Sequence, residues 1–265
     1  MKHLKQLLIA IAFFSIPFTS MAWGKLGHRI VGQIAESYLT PKAKLGIKAI
    51  LGNETIAMAS NWPDFIKSDS TFKYLTPWHY VDMPDSNFSY KELQDYLAKD
   101  TAVDAYTKLN FLIKELKTNK NLTADTKKMY LRLLIHIIGD VHQPFHVGHT
   151  ADLGGNKIEV QWFKENTNLH AVWDEKLIQN QELSYTEYTN AINFTTPKQR
   201  LEWQAAPIAQ WLYESNHLAN SLYAEITTKG QKLGYRYDFE HIATLNEQLL
   251  KGGVRLAGIL NQIFG

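Results

Sequence analysis

The chain has 265 residues, of which 45% are hydrophobic and 20% are charged, so it can fold around a sizeable core without covalent cross-links. It contains no cysteine, which excludes disulfide bonds, thiolate zinc sites and a cysteine nucleophile. Any bound metal must therefore use imidazole, carboxylate or backbone ligands. A formal net charge of +2 is too small to indicate binding of polyanions through bulk charge.

Residues 1–22 have the pattern of a secretory signal peptide. Two lysines precede an apolar stretch at residues 7–16 that is too short to span a bilayer comfortably, and Ser20-Met21-Ala22 puts small residues at a cleavage site. We expect a secreted or periplasmic protein with a mature domain over residues 23–265; a buried N-terminal helix or a membrane anchor is the alternative. Loss of the two lysines would leave 26 basic and 26 acidic residues, so the mature chain is formally neutral.

Hydrophobic periodicity predicts that the rest of the chain is mainly α-helical. The first expected helix covers residues 26–39, and Thr40-Pro41 begins a second helix that ends near Gly52. Two helical runs follow within residues 90–116, with a break near residues 99–101. The later expected helices are one that Thr123 caps and that continues past Ile138, one over residues 197–227, and one over residues 239–264 with an interruption at Gly252-Gly253.

One segment has the pattern of a β-strand. In residues 157–163 the side chains of Ile158, Val160 and Trp162 alternate with polar neighbours, and Gly154-Gly155 supplies a turn before them. The sequence contains no repeat, low-complexity stretch or obvious interdomain linker. We therefore expect a single mainly α domain, a helical bundle with a small β-hairpin.

The densest group of metal-binding residue types is His136-Ile-Ile-Gly-Asp140-Val-His142-Gln-Pro-Phe-His146. His136 and Asp140 are four residues apart, so a helix would present them on one face, where they can share one ion. Pro144 should end that helix and let His146 return to the same site.

A second pair, His170 and Asp174, repeats the four-residue spacing. Either pair alone could also be an ordinary His–Asp contact on a helix surface. Two pairs favour a metal site, because one of them lies in an apolar helix where an unpartnered His and Asp would be costly. Further candidates are His28, Asp64 and His79, each of which by itself suits a structural hydrogen bond. Together, five histidines and three aspartates in a chain without thiols suit several zinc ions.

In their order along the chain, these motifs resemble the secreted zinc-dependent nucleases of fungi, plants and bacteria, which cut single-stranded nucleic acid and remove 3′-phosphates from nucleotides. The bacterial zinc phospholipases C share the fold and metal cluster of that family. The resemblance covers essentially the whole mature chain. Its elements are Trp23-Gly-x-x-Gly-His28, Asp64, Trp78-His79, the block from His136 to His146, Gly154-Gly155-Asn156, His170-Ala-Val-Trp-Asp174 and Gly252-Gly-Val-Arg-Leu-Ala.

The resemblance implies a cleft that binds three Zn²⁺ ions. The implied ligands are Asp64, His79, His136 and Asp140 for the first ion, the α-amine and carbonyl of Trp23 with His28 and a shared Asp140 for the second, and His146, His170 and Asp174 for the third. Signal-peptide cleavage would then create a ligand, because only the mature chain has a free amine at Trp23. Only a deprotonated amine binds metal, so this site should weaken as the pH falls.

The resemblance also implies a reaction. Three Zn²⁺ ions facing three aspartates leave a local excess of about three positive charges, which attracts a phosphodiester. A water that bridges the two ions joined by Asp140 would ionise near pH 7 and attack phosphorus in line, leaving a 5′-phosphate product. Asp64 and Asp140 are thus implied to be catalytic. Lys67, one turn after Asp64, could reach the phosphate or be a solvated surface lysine; this family often has Arg at that position.

Three further residues match substrate-binding positions of the family. Tyr80 would stack on a base, Asp82 would bind the edge of that base, and Asn156 would lie near the phosphate, although Gly155-Asn156 also suits simple turn chemistry. The implied partners are single-stranded DNA and RNA and 3′-nucleotides, with no stable membrane association and no obligate protein partner. His142 matches no ligand position and suits a structural role.

Two alternatives to the nuclease stay open. A zinc phospholipase C would use the same metal core on phospholipid head groups, but Asp174 stands where those enzymes use Glu, and the Gly-Gly-Asn turn also favours the nuclease. A secreted zinc-binding protein without catalytic activity would need the same ligands.

Overall fold

The computed structural model describes residues 23–265, so the signal-peptide prediction for residues 1–22 lies outside the described residues. The helices are α1 (Lys25–Ser37), α2 (Pro41–Leu51), α3 (Ile56–Ala59), α4 (Trp62–Ile66), α5 (Tyr90–Leu97), α6 (Ala105–Thr118), α7 (Ala124–Asp140), α8 (Leu169–Ala171), α9 (Leu177–Gln179), α10 (Tyr185–Ile192), α11 (Pro197–Ala205), α12 (Ile208–Glu225) and α13 (Tyr235–Phe264). The strands are β1 (Glu159–Trp162), β2 (Glu165–Asn168) and β3 (Gln231–Leu233). Segments of 3₁₀ helix lie at Ser70–His79, Pro144–Val147 and Thr150–Asp152, and a π-helical turn lies at Val172–Lys176. The prediction of a mainly α protein is confirmed.

Helix starts follow the capping residues in the sequence. The Thr40 hydroxyl accepts a hydrogen bond from the Ala43 amide, and the Thr123 hydroxyl accepts one from the Thr126 amide. These bonds satisfy amides that have no partner inside the helix. The predicted break between two helical runs is also present, because α5 ends at Leu97 and α6 begins at Ala105.

Two helix predictions near the C-terminus are wrong. The segment over residues 197–227 is split into α11 and α12 at Ala206-Pro207, where Pro207 lacks the amide that a continuous helix would need. In contrast, α13 is unbroken through Gly252-Gly253 and begins four residues before its predicted start. A Cβ on Gly253 would lie 2.4 Å from Ile34 Cγ2, so the glycines let α1 approach α13 closely instead of ending the helix.

The predicted hairpin is present and has an additional strand. β1 and β2 pair antiparallel with Val160 opposite Thr167, and β3 adds to the other edge of β1 in parallel, with Val160 opposite Gln231. β3 has no predicted counterpart, because three residues are too few to show an alternating pattern.

The core places the end of α7 in the interior. α1 packs against α13, α3 and α10, and α7 packs against α6 and α13. Every residue from Leu133 to Asp140 is buried. Polar groups at this end of α7 therefore need partners within the protein or a bound ion. Across residues 23–265, none of the helices combines the length and apolar character needed to cross a membrane.

Candidate metal centre

The last turns of α7 carry His136 and Asp140, whose side chains are both fully buried. His136 Nε2 lies 3.2 Å from Asp140 Oδ2, as the four-residue spacing on one helix face allows. After α7 ends, the chain turns through the 3₁₀ segment Pro144–Val147, which brings His146 Nδ1 within 3.9 Å of Asp140 Oδ1.

The two oxygens of Asp140 face different imidazoles. Oδ1 lies 3.2 Å from His28 Nε2, whereas Oδ2 lies 3.1 Å from His79 Nδ1. Asp64 joins this set from α4, with Oδ1 3.8 Å from His136 Nε2. We call these five residues the Asp140 group: His28, Asp64, His79, His136 and Asp140. Its central carboxylate, Asp140, therefore has imidazoles next to both of its oxygens.

His28 and Trp23 reach this group from the start of the described chain. The His28 ring stacks on His136 with ring centroids 3.8 Å apart. A Cβ on Gly139 would lie 2.9 Å from His28 Nδ1, so only glycine leaves room for this ring. The buried Trp23 indole Nε1 donates to the Gly139 carbonyl at 2.7 Å. Trp23 is thereby anchored against the last turn of α7.

His146, His170 and Asp174 form a second set, which we call the Asp174 group. His170 Nε2 lies 3.0 Å from Asp174 Oδ2, and His146 Nε2 lies 3.7 Å from Asp174 Oδ1. His170 belongs to α8, and Asp174 lies in the π-helical turn that follows it. All three side chains are buried.

Three of the histidines are oriented by backbone carbonyls. In each, the Nδ1 atom is hydrogen-bonded to a main-chain oxygen, so that Nε2 is the nitrogen available to an ion. The pairs are His136 with Ser60 O at 2.6 Å, His146 with His79 O at 2.6 Å, and His170 with Gly154 O at 2.5 Å. These contacts fix both the tautomer and the direction of each ring.

Several buried polar atoms of these groups have no hydrogen-bond partner among residues 23–265. They are both ring nitrogens of His28, Asp64 Oδ2, His79 Nε2, Asp140 Oδ1 and His146 Nε2. An unpaired buried polar atom is destabilising by about 1–3 kcal/mol, so a cluster of them indicates that a cation belongs there. Within the described residues, three sets offer ligand atoms that all lie within 4.8 Å of one another, namely His28/His136/Asp140, Asp64/His79/His136 and His146/His170/Asp174.

The spacing of the ligand atoms fits zinc. A tetrahedral Zn²⁺ with bonds of about 2.0–2.2 Å needs ligand atoms about 3.3–3.5 Å apart. The separations from Asp140 Oδ2 to His136 Nε2 and from Asp174 Oδ2 to His170 Nε2 are 3.2 and 3.0 Å. Each pair brings two lone-pair atoms together, so a proton or a metal ion must lie between them. Nitrogen and oxygen donors in this arrangement suit Zn²⁺.

Electrostatics keep the carboxylates ionised. Burial opposes ionisation of Asp140, but His136 and His146 outweigh it and hold the pKa of Asp140 well below its usual range. Burial also opposes protonation of His146, but Asp140 and Asp174 raise its pKa to about 9. Burial, followed by the charge of Lys67, lowers the pKa of His79 to about 4. A divalent cation would replace the protons that now compensate these carboxylates.

A cavity of about 460 Å³ opens beside the Asp174 group. His146 and His170 form part of its wall, and the same wall contains Tyr80, Asp82 and Asn156. Tyr80 is half-buried, and burial raises the pKa of Asp82. The three residues predicted to contact substrate therefore share one cavity with two of the candidate ligands.

Comparison with known proteins decides the family. The family model described as S1/P1 Nuclease matches residues 23–265. This chain belongs to the S1/P1 nuclease family. It is 31% identical to Endonuclease 4 of Arabidopsis thaliana over 92% of this chain and 90% of that protein. It is 28% identical to Nuclease P1 of Penicillium citrinum over 92% of this chain and 98% of that protein. Among solved structures, the alpha toxin from Clostridium absonum matches with a TM-score of 0.49 and 14% identity, covering 91% of this chain and 63% of that one.

Membership of the S1/P1 nuclease family makes the chain a nuclease, a hydrolase that acts on nucleic acid.

The structure gives two residues of the sequence analysis, Lys67 and His142, specific contacts. Lys67 Nζ lies 2.6 Å from Asp64 Oδ1, so it pairs with a candidate ligand. His142 faces away from both groups, with Nδ1 bonded to the Ile138 carbonyl at 2.6 Å and Nε2 3.1 Å from Arg255 Nη1.

Sequence reasoning missed Gln143 and Phe145 in this nuclease. Gln143 is fully buried, its side-chain amide donates to Asp174 Oδ1, and its Oε1 accepts from the Phe145 amide at 2.5 Å. Phe145 lines the cavity. The signal for Gln143 was its position between two histidines of the densest motif, where a polar side chain in an apolar setting needs partners.

Proposed function

We propose that this protein is a zinc-dependent phosphodiesterase that hydrolyses single-stranded DNA and RNA to 5′-phosphate products and also acts as a 3′-nucleotidase. The observation that carries the proposal is the shared wall of one cavity, in which His146 and His170 stand beside Tyr80, Asp82 and Asn156. Residues suited to metal binding and residues suited to base binding thus line the same space.

Three Zn²⁺ ions are the cofactors that fit the ligands. Asp64, His79, His136 and Asp140 would hold the first, Trp23, His28 and Asp140 the second, and His146, His170 and Asp174 the third. Zinc bound there would supply hydroxide near neutral pH and would neutralise charge on the phosphate and the departing 3′-oxygen. Asp140 would orient both neighbouring ions, because each of its oxygens faces a different imidazole.

The cavity supports a preference for single strands. The ring of Tyr80 offers a stacking surface to one base, and the Asp82 carboxylate can accept a hydrogen bond from an exocyclic amino group. Asn156 is fixed by a bond from its Nδ2 to the Leu153 carbonyl at 2.8 Å, which leaves its oxygen for a substrate donor. A duplex hides the faces of its bases, so only an unpaired nucleotide can enter this cavity.

Lys67 is proposed to act on the phosphate through its pairing with Asp64. Its side chain is 26% exposed while that of Asp64 is 1% exposed, so the ammonium lies between the buried ligand and solvent. A cation in that position attracts a phosphodiester and restrains the Asp64 carboxylate.

We also propose that the protein is exported and that its signal peptide is removed. Cleavage after Ala22 would turn Trp23 into the N-terminal residue, and its amine and carbonyl would join His28 and Asp140. The indole bond from Trp23 to the Gly139 carbonyl anchors this residue beside Asp140. The mature domain would then cover residues 23–265 and act outside the cytoplasm.

The test is an assay of the mature protein on denatured DNA, RNA, 3′-AMP and phosphatidylcholine, with and without a chelator. We expect release of nucleotides and of phosphate from 3′-AMP, loss of both with chelator, and recovery with Zn²⁺. His136→Ala should lose zinc and activity together, whereas His217→Ala, which removes an exposed histidine, should retain both. Turnover of lipid without nucleotide release would overturn the proposal.

A further inference from the structure

A row of aromatic rings lies on the segment of chain that carries Asp64 and His79 of the Asp140 group, and it runs from the buried Trp78 through the exposed Tyr74 to the half-buried Phe72 and Trp62. Trp62 and Phe72 have ring centroids 5.6 Å apart, Phe72 and Tyr74 6.4 Å, and Tyr74 and Trp78 6.0 Å. We call Trp62, Phe72, Tyr74 and Trp78, together with Phe65, the aromatic ladder. Trp78 belongs to the hydrophobic core and Trp62 and Phe72 pack against it, so the exposed rings of Tyr74 and Phe65 are the ones whose role is unassigned.

Two members of the aromatic ladder are unusually open to solvent. Phe65 is 74% exposed and Tyr74 is 53% exposed. Among residues 23–265, the described ring contacts of Tyr74 are to other members of the ladder, and Phe65 has none. An exposed ring gains little from folding, so two of them beside a catalytic centre indicate a surface that meets a ligand.

Two lysines lie beside rings of the ladder, one in the sequence and one in the fold. Lys73 is exposed between Phe72 and Tyr74 in the sequence, and Lys108 Nζ lies 4.8 Å from the ring centroid of Trp78. Neither lysine has a carboxylate within ion-pair distance among residues 23–265. Arg132 also lies over Trp62, but its charge is paired with Glu54. Exposed aromatic faces with lysines nearby match the bases and phosphates of a nucleic acid strand.

Two members of the aromatic ladder are adjacent in the sequence to candidate ligands of the Asp140 group. Phe65 follows the candidate ligand Asp64, and Trp78 precedes His79. Tyr80, on the other side of His79, lines the base cavity, whereas Trp78 does not. In the sequence, His79 therefore separates a ring of the ladder from a ring of the cavity wall.

We propose that the aromatic ladder binds the bases of a single-stranded polynucleotide beyond the nucleotide held in the cavity. This inference rests on the proposed function, because it requires a phosphodiester at the metal centre. Stacking on Phe65 and Tyr74 would be independent of base identity, since every base has a π face, while Lys73 and Lys108 would contact phosphates. Long substrates would then bind more tightly than single 3′-nucleotides.

The test compares KM for 3′-AMP with KM for oligothymidylates of increasing length. For the zinc-loaded wild type, KM should fall as the strand lengthens. Phe65→Ala and Tyr74→Ala should each raise KM for the long strand by about five- to tenfold, and the double variant should multiply the two effects. The KM for 3′-AMP, whose single base is proposed to occupy the cavity, should change less than twofold.

Phe239→Ala is the matched control, because Phe239 is 82% exposed and lies near the start of α13, outside the ladder. It should leave every KM at the wild-type value. Wild-type protein that cleaves no oligonucleotide would overturn the proposed function itself. Wild-type protein that cleaves them, with ladder variants that keep the wild-type length dependence, would overturn only the ladder. Loss of binding to phosphatidylcholine vesicles with unchanged oligonucleotide KM would assign the surface to lipid and likewise overturn it.

Discussion

The Asp140 group and the Asp174 group use the same residue types but are held in different ways. Among the described residues, the Asp140 group contains five buried polar atoms without a hydrogen-bond partner, whereas the Asp174 group contains one, His146 Nε2. In the Asp174 group, carbonyls orient both imidazoles and the Gln143 amide donates to the carboxylate. The protein's own hydrogen bonds therefore satisfy more of the Asp174 group, whereas the Asp140 group has more unpaired atoms that a bound cation would satisfy.

The two groups also differ in which parts of the fold supply their residues. The Asp140 group is assembled from α1, α4, α7 and the 3₁₀ segment before Tyr80, so its geometry depends on the whole fold. The Asp174 group comes from two short neighbouring segments and forms part of the cavity wall. The groups remain linked, because the His79 carbonyl orients His146 and the Gly24 amide donates to the Asp174 carbonyl at 2.8 Å.

The largest effect is expected for Asp140→Asn. An amide cannot present two anionic oxygens, so both ions that share this residue would be lost, and phosphodiesterase activity should fall by at least about 10³-fold. Hydrolysis of denatured DNA at saturating Zn²⁺ measures the loss. Activity within tenfold of wild type would show that the bridging role is wrong.

Asp174→Asn should have a smaller effect. Asp174 is proposed as a ligand of one ion only, so the variant should retain the zinc proposed for the Asp140 group and lose about 10²-fold in activity. Metal analysis after dialysis against buffer without zinc checks the first point, and a DNA assay checks the second. Equal zinc loss in Asp174→Asn and Asp140→Asn would mean that the two groups form one inseparable site.

Gln143→Leu tests whether the protein orients the Asp174 group. Loss of the amide that contacts Asp174 Oδ1 should weaken zinc binding at that group by about 10- to 100-fold and leave the Asp140 group unchanged. Gln248→Leu is the control, since Gln248 is also buried but donates to the His142 carbonyl and touches no candidate ligand. A competitive zinc titration with a chromophoric chelator separates the two variants. Matching affinities in both would contradict the orienting role.

The smallest expected effect is a pH dependence of the chelated protein. His146 has its pKa raised to about 9, so the stability that its charge contributes is complete below its usual pKa of 6.5 and lost as the pH rises through about 9. His79 has its pKa lowered to about 4, so stability is lost as the pH falls from 6.5 toward that value. The Tm of chelated protein should therefore be highest near pH 6.5. The increase in Tm on adding zinc should grow with pH, because ligands must be deprotonated. A chelated Tm that rises between pH 6.5 and 9 would contradict this account.

Local pattern predicted much of the fold but not its close contacts. Thr40 and Thr123 cap helices as their sequence contexts indicate, because capping depends on a few neighbouring residues. Gly252-Gly253 suggested a break for the same local reason, yet packing of Gly253 against Ile34 overrides propensity. The third strand and the division of residues 197–227 at Pro207 also escaped prediction, although Pro207 was visible in the sequence.

In the candidate site too, the sequence predicts contacts between residues close in the chain but not contacts between distant ones. The spacing of His136 with Asp140 and of His170 with Asp174 indicates shared faces, and the distances within both pairs agree. Nothing local connects Asp64 or His28 to them, so only resemblance to a family linked these residues. Gln143 and the aromatic ladder depend on which surfaces the fold brings together, and no periodicity carries that information.

Zinc content of the mature protein is the most direct test of the central claim, because the account requires two ions at the Asp140 group and one at the Asp174 group. Elemental analysis should be combined with N-terminal sequencing and with denatured-DNA hydrolysis on the same samples. The account predicts three zinc ions per wild-type chain beginning at Trp23, and one per chain in Asp140→Asn with activity lost. Three zinc ions in Asp140→Asn, or an active wild-type protein with none, would contradict it.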